Sequence, residues 1–380
     1  MQERSFINLS KTRLYVKFKV KASDGSVITA AQNVSTVNNL ATSWIKQIKI
    51  LLSGLEVENL QDAHLKSMFE TELMYSKESK ETMLASRMYY MSEAANRNSL
   101  LDPGYMKRAR LITDGKSVEM ISPIPANLFA SDRLLLSFID LCVIIYRNDD
   151  NFCLLNHNMG AAQNGYRIEF EDMRLLVEEV ELLDSVSLAL EKVLASGRAV
   201  KYPLKTVQMR TFHISAGRFH IPPTIIHQSS IPRRVIVAMI ATEAYNGDIS
   251  KDGLCCDNFD CKRITIEYGT RSKTLEMDYE NDLYLQAYDQ LFEGLNLMGR
   301  NKSNGITMEK FKNGWNFYVF DLSRNCDTDS FDLIRNGTCS LKMEFAKAVP
   351  AGGITVVCYA EYQNILSIDS RRIPSFDSSV

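Results

Sequence analysis

No apolar run in this chain is long enough to cross a bilayer as a helix: the longest, Leu134 to Tyr146, spans 13 residues and contains Asp140, where about 20 are needed. Cysteine is scarce, with eight residues at 142, 153, 255, 256, 261, 326, 339 and 358 of 380. That density excludes a disulfide-stapled secreted scaffold, and reduced thiols are expected. Neither sign of charge dominates, since 44 Lys plus Arg face 46 Asp plus Glu. A surface that wraps nucleic acid by electrostatics alone is therefore disfavoured. The first residues, Met1-Gln2-Glu3-Arg4, lead into alternating rather than continuous apolar residues, so no signal peptide is expected and synthesis in the cytosol or nucleus follows. Four N-x-S/T triplets, at Asn8, Asn33, Asn301 and Asn336, are then chance matches. Gly-rich strand-to-helix loops and G-x-S-x-G elbows are also missing, which removes the familiar nucleotide-binding and serine-hydrolase signatures.

What remains is an average globular composition, 45% apolar and 24% charged, in a chain long enough for two or three domains at about 150 residues each. Strand signals dominate. Arg13 to Val20 alternates strictly, with Leu14, Val16, Phe18 and Val20 on one face, and Ser23-Asp24-Gly25-Ser26 supplies a turn. Similar runs lie at 45–52, 134–146, 166–183, 207–214, 234–240, 263–268, 317–322, 341–345 and 354–362. Strands separated by turns and long loops predict antiparallel sandwiches and not βαβ units. Helical spacing occurs in three places: Leu65, Met68, Phe69 and Leu73 within 61–90; Tyr284, Ala287, Tyr288, Leu291 and Phe292 within 282–293; and Val186, Ala189, Leu190, Val193 and Leu194 between Asp184, a candidate cap, and Gly197. The last divides the chain almost evenly. The halves also close alike, Ile168-Glu169-Phe170 leading to Leu183-Asp184-Ser185 and Met343-Glu344-Phe345 leading to Ile368-Asp369-Ser370. The expected organisation is a first roll over 1–184, a connecting helix and link over 185–204, and a second roll over 205–380.

Four constellations could carry chemistry, and each has a plainer explanation. His213, His220 and His227 recur every seven residues, but an odd spacing on strands alternates faces, and Pro222 and Pro223 break any helix that would align them. Cys255, Cys256 and Cys261 lack the second ligand pair of a structural zinc site. Glu169, Glu171, Asp172, Glu178, Glu179 and Glu181 fall on a strand beside Leu175, Val177 and Val180, as solvated strand residues do, although a sandwich glycosidase would need two such groups across a cleft. Lys107-Arg108-Ala109-Arg110, Arg233-Arg234 and Arg371-Arg372 could touch phosphates, yet isolated basic clusters on a neutral chain usually meet solvent or partners. No catalytic, cofactor-binding or metal-binding residue is predicted, and no enzymatic activity.

The strand segments themselves resemble a known family. Asn8-Leu9-Ser10-Lys11-Thr12-Arg13-Leu14-Tyr15-Val16, Val37-Asn38-Asn39-Leu40 and Ile48-Lys49-Ile50-Leu51-Leu52-Ser53-Gly54 are similar to the hexon-like major capsid proteins of Maverick/Polinton elements and adintoviruses. So are Lys201-Tyr202-Pro203, Ile231-Pro232-Arg233-Arg234-Val235, Ala244-Tyr245-Asn246-Gly247-Asp248, Phe320-Asp321-Leu322, Tyr359-Ala360-Glu361-Tyr362-Gln363-Asn364 and Ile368-Asp369. The resemblance implies a double jelly roll, two eight-stranded sandwiches side by side. It also implies trimers that form pseudo-hexagonal capsomers of an icosahedral virion shell. The implied partners are copies of the chain, penton and minor capsid proteins, and packaged double-stranded DNA only indirectly; synthesis would be cytoplasmic and assembly cytoplasmic or nuclear. Two departures stand out. Met1 lies only a few residues before the first strand, so the first roll is expected to lack a leading strand or arm. The aromatic and proline-containing run usual before the first helix is replaced by Leu60-Gln61-Asp62-Ala63-His64.

Two other classes compete: a carbohydrate-binding or glycoside-hydrolysing jelly roll, which needs exposed Trp beside convergent carboxylates, and an endogenised capsid copy used by a host. Only Trp44 and Trp315 are present, both among strand residues. A coat protein must hide surface against itself, so Phe219-His220-Ile221-Pro222-Pro223 and Tyr89-Tyr90 are expected to serve partners.

Overall fold

A computed structural model describes residues 5–94, 99–157, 165–299, 301–323 and 336–376; Cys326 lies outside the described residues. The strands of the first half are β1 (Phe6–Ala22), β2 (Ser35–Thr36), β3 (Ile45–Leu52), β4 (Leu55–Leu60), β5 (Val118–Pro123), β6 (Leu141–Arg147), β7 (Leu154–Leu155) and β8 (Tyr166–Val180). Those of the second are β9 (Val200–Ile214), β10 (His220–His227), β11 (Arg234–Ala241), β12 (Cys261–Tyr268), β13 (Arg271–Glu276), β14 (Tyr318–Asp321), β15 (Cys339–Phe345), β16 (Ile354–Ile368) and β17 (Pro374–Phe376).

The second half is a jelly roll by its pairing. One sheet runs β14-β11-β16 with β9 on the far side of β16, and the other runs β10-β15-β12-β13. The short β17 extends the first sheet along the β11 side of β16. The pairs β9–β16, β10–β15 and β12–β13 nest inside one another, with β11–β14 between, as in a long hairpin rolled into two Greek keys. In the first half, β5-β1-β8 and β4-β3-β6 form two sheets, and β2 pairs β7 in a two-residue ladder. Every named strand pair in both halves is antiparallel.

Six strands of each half match in chain order and in partners. β1, β3, β4, β5, β6 and β8 pair with one another as β11, β12, β13, β14, β15 and β16 do. The helices match too: Leu40–Ser43 follows β1 as Thr242–Tyr245 follows β11, and Ala63–Met74 lies between β4 and β5 as Leu285–Gly294 lies between β13 and β14. What the second half has in addition is β9 and β10, which precede its six. Among the described residues, the outer edges of β8 and β6 carry no such strands.

Local sequence explains most of this. In β1 the alternation puts Leu14, Val16, Phe18 and Val20 in the core, while Lys17 and Lys19 stay half-buried on the other face. β16 is apolar on both faces, ITVVCYA at its start, and is buried throughout that stretch. The helix Ala63–Met74 is buried around most of its circumference, because it sits between the halves. Its Phe69 ring lies 5.3 Å from Phe317 and 5.6 Å from Tyr359 of the second half.

Polar contacts close the same seam. Lys80 Nζ donates to Glu72 Oε2 at 3.2 Å, to the Glu72 carbonyl at 2.7 Å and to the Asn304 carbonyl at 2.8 Å. The Tyr202 hydroxyl donates to the Leu134 carbonyl and accepts from Leu136 N. One continuous hydrophobic cluster therefore spans both halves.

Several elements differ from the sequence expectation. The strand expected over 134–146 starts only at Leu141, and 166–183 ends at Val180. β9 begins at Val200, inside the stretch expected to be a connection. The connecting helix is Asp184–Ala195 with Leu183 at its cap, so Asp184 is the first helical residue and not the cap. Its carboxylate still favours the positive end of the helix dipole. Gly197, at φ +85°, takes the left-handed conformation that ends the segment.

Candidate assembly surfaces

The four chemical constellations come apart in the fold. His213 is exposed on β9, with Nδ1 2.9 Å from Thr242 Oγ1, whereas His220 and His227 lie at opposite ends of β10 in the other sheet. His227 is buried, and loss of water there pulls its pKa down to about 4, with Arg210 adding to the effect. Cys256 packs on Met68 at 4.0 Å between sulfurs, and burial pushes Cys261 up to about 12. The seven described cysteines are all free, and no group of metal-competent side chains occurs among the described residues.

Most of the β8 carboxylates are fastened to cations: Glu169 to Lys21 at 2.8 Å, Glu171 to Lys19 at 2.6 Å, Glu178 to Lys11 at 3.1 Å and Asp172 to Arg174 at 2.7 Å. The hydrogen bond from each lysine holds Glu169, Glu171 and Glu178 below the usual carboxylate range. Glu179 accepts from Ser5, and Glu181 lines a cleft. Of the basic clusters, Arg108 is buried and donates to the Thr36 carbonyl at 2.8 Å, Arg234 is buried against Glu361 at 3.1 Å, and Arg372 reaches Glu191 on the connecting helix at 2.5 Å. These arginines are structural ties. Both tryptophans are buried, and the Trp44 ring lies 5.0 Å from Phe170, tilted against it. The aromatic platform that a carbohydrate-binding roll requires is therefore not offered by Trp44 or Trp315.

A cleft of about 410 Å³ is lined by Asp149, Asp150, Tyr166, Arg167, Asn246 and Gly247 from both halves. Its Asp150 is occupied by Arg147 and by the Ile168 amide at 3.1 Å. The larger cleft, about 720 Å³, lies where the connecting helix meets the first half, between Phe6, Phe138, Leu182, Leu188 and Arg372. Phe138 is 57% exposed and adopts φ +60°, a conformation that costs a bulky residue on the order of 1 kcal/mol. Leu188 of the connecting helix lines the same cleft, and Leu183, Val186 and Val193 are also exposed on or beside that helix, apolar surface of the kind that marks protein contacts.

Of the residues expected to serve partners, Phe219, His220, Pro222 and Pro223 are exposed, and Ile221 is buried. Tyr89 is not available: it is buried, and its hydroxyl donates to Glu72 at 3.1 Å. Its hydroxyl shares Glu72 with Lys80, a tertiary contact with no sequence signal. The exposed apolar residues of the connecting helix could not have been read as surface from their spacing, because the helix has too few charges to identify which face is wet.

No family model matches the chain. It is 28% identical over 391 residues to the uncharacterized protein F54H12.2 of Caenorhabditis elegans, an alignment that covers 99% of this chain and 91% of that one. Among solved structures it is similar to a chain of the Sputnik virophage, with TM-score 0.64 and 10% identity over 100% of this chain and 84% of that one. The PBCV-1 virus capsid gives TM-score 0.61 and 8% identity over 100% and 91%, and the mavirus major capsid protein 0.55 and 10% over 98% and 85%. The chain has the viral double jelly-roll fold. In a double jelly roll the two sandwiches form a rigid frame and the loops and connecting segments carry the contacts, and Phe138, Leu183, Leu188 and Phe219 are exposed in such segments of this chain.

Proposed function

We propose that the chain is a hexon-like major capsid protein, a structural building block of an icosahedral shell and not an enzyme. The observation that carries this reading is the doubled roll itself: the likeness to capsid proteins runs through nearly the whole chain and so through both halves. In this reading three copies close on one another through one repeated head-to-tail contact, and two similar rolls per copy give a pseudo-hexagonal outline. The exposed patch on the connecting helix and the Phe219 to Pro223 loop supply part of the contacts. The resemblance to Maverick/Polinton and adintovirus capsid proteins supports reading the chain as part of such a virion, with penton and minor capsid proteins as neighbours and DNA enclosed without direct contact.

Light-scattering mass with negative-stain imaging tests the proposal. A hexagonal particle of three chains, or a closed shell, is the expected result. A stable monomer at high concentration, or turnover of a glycoside panel that disappears when one carboxylate is changed, would overturn it.

A further inference from the structure

Two lysines are buried among the described residues, Lys66 and Lys80. Lys66 pairs at 2.7 Å with Glu70, a carboxylate that still meets water. The surroundings of Lys80 are drier: Lys80, its partner Glu72 and Asn304 of the second half are 3%, 5% and 2% exposed. Lys80 Nζ lies 3.2 Å from Glu72 Oε2 and 2.8 Å from the Asn304 backbone oxygen, and the Tyr89 hydroxyl holds the same carboxylate at 3.1 Å. Asn304 brings a second group to this place, its carboxamide, joined to that backbone carbonyl through Cα and Cβ alone. The carboxamide Oδ1 accepts from Ile306 N at 3.1 Å, which fixes the end that is oxygen. Its Nδ2 is buried and has no hydrogen-bond partner among the described residues. An unpaired buried donor is costly and calls for an explanation.

We propose that the Lys80 amine and the Asn304 carboxamide condense into an isopeptide bond, with Glu72 carrying the proton, so that a covalent link ties the two halves at their seam. Amine, carboxamide and carboxylate are the groups such a condensation needs, and here they meet away from water. Glu72 Oε2 takes a proton from the Lys80 ammonium along their hydrogen bond, a transfer that dry surroundings favour because it removes two charges. The flexible lysine stem then has only to move Nζ from the backbone oxygen of Asn304 to the side-chain carbon of the same residue. The Nζ lone pair attacks Asn304 Cγ and forms the Cγ–Nζ bond. Glu72 passes its proton to Nδ2 and takes the second proton from Nζ. The Cγ–Nδ2 bond breaks, and its electron pair leaves with the nitrogen as ammonia. Of the two protons lost by Nζ, one departs in ammonia and the other stays on Glu72 until ammonia carries it away as ammonium. Nothing is oxidised or reduced, and no co-reactant is needed. The reaction also removes the unpaired NH2. The joined residues are 224 apart in the chain, so even the unfolded chain would stay looped. Because the bond forms within one chain, it does not depend on whether three chains assemble.

Denaturing mass spectrometry of the purified full chain reads the bond directly. The expected mass is short of the sequence mass by one ammonia, and a tryptic digest should contain a branched peptide that joins Lys80 to Asn304. Glu72→Gln should form the bond at least about a hundredfold more slowly. Lys80→Arg should keep the full mass, and Asn304→Asp should lose water in place of ammonia. The unaltered chain gives the deciding result, so a variant that fails to fold does not. The full sequence mass in the unaltered, folded chain after prolonged incubation would overturn the proposal. So would an ammonia loss that persists in Lys80→Arg, which would assign it to ring closure at Asn304-Gly305.

Discussion

β8 and β16 hold the same place in two copies of one pattern, and their sequences differ as their surroundings do. β16 opens as a continuous apolar run and is covered on both edges, by β9 and β11, with Phe69 of the seam helix stacked on its Tyr359. β8 alternates acidic and apolar residues and is covered on one edge. A strand buried on every side needs no alternation, whereas a strand with one wet face must keep charges there. The comparison teaches that strand composition in this chain reports its cover as much as its conformation. It also locates the stiff part of the molecule: the second roll and the seam, with the first roll looser along β8 and β6.

The seam gives the sharpest way to break the comparison. Lys80→Ala strands the buried Glu72 carboxylate and removes the bridge to Asn304. A loss of about 3–5 kcal/mol in denaturant unfolding is expected, because one partner of a buried ion pair is removed. A loss as small as that of an exposed ion pair would mean that the halves are not joined as described.

One core-face methionine from each roll comes next. Met239→Ala in β11, fully buried and paired with Val356, should cost about 2–5 kcal/mol. Met173→Ala in β8 should cost less than about 1 kcal/mol, since much of that side chain is already wet. Equal costs would remove the contrast between a closed and an open roll.

Each half also buries one neutral histidine, which sharpens the comparison through pH. Loss of hydration lowers His64 to about 3 and His227 to about 4, against about 6.5 when unfolded. The unfolded chain then binds more protons below pH 6.5, so this stability is complete above 6.5. It falls with pH until about 4 for His227 and about 3 for His64, by roughly 1.4 kcal/mol per unit for each ring. Unfolding midpoints measured from pH 7 to 4 should become flatter by one proton in His64→Gln and again in His227→Gln. An unchanged slope would show that the rings are not buried neutral.

The sequence made the regular parts of this fold legible and hid the edges. β1 was readable because one face is core and one is water, so period two is written in Leu14, Val16, Phe18 and Val20. β10 was missed because Pro222 and Pro223 argue against a strand, yet it is an edge strand whose register shifts between Ile221 and Thr224, and there a missing N–H costs little. Pro203 hid the start of β9 in the same way, on another edge. The helix Pro103–Ile112 was overlooked although Asp102 accepts from Tyr105 N and Pro103 takes the first turn, a start signal present in the sequence. As for the surfaces, the Phe219 loop was legible from its apolar residues. The free edge of β8 was not, because pairing partners far apart in the chain decide it.

Amide hydrogen exchange on the free, dilute chain tests the central claim, that one roll is closed and its copy is open. β16 has a ladder on both edges from Ile354 to Ala360, so every amide there should exchange slowly. In β8 the amides that face β1 have ladder partners, and Ile168 N donates to Asp150 Oδ1, so apart from Ile168 protection should alternate along Arg167 to Leu176, with the outward amides exchanging at rates near those of loops. Uniform slow exchange along β8, matching β16, in a species shown by light scattering to be a single chain, would contradict the account.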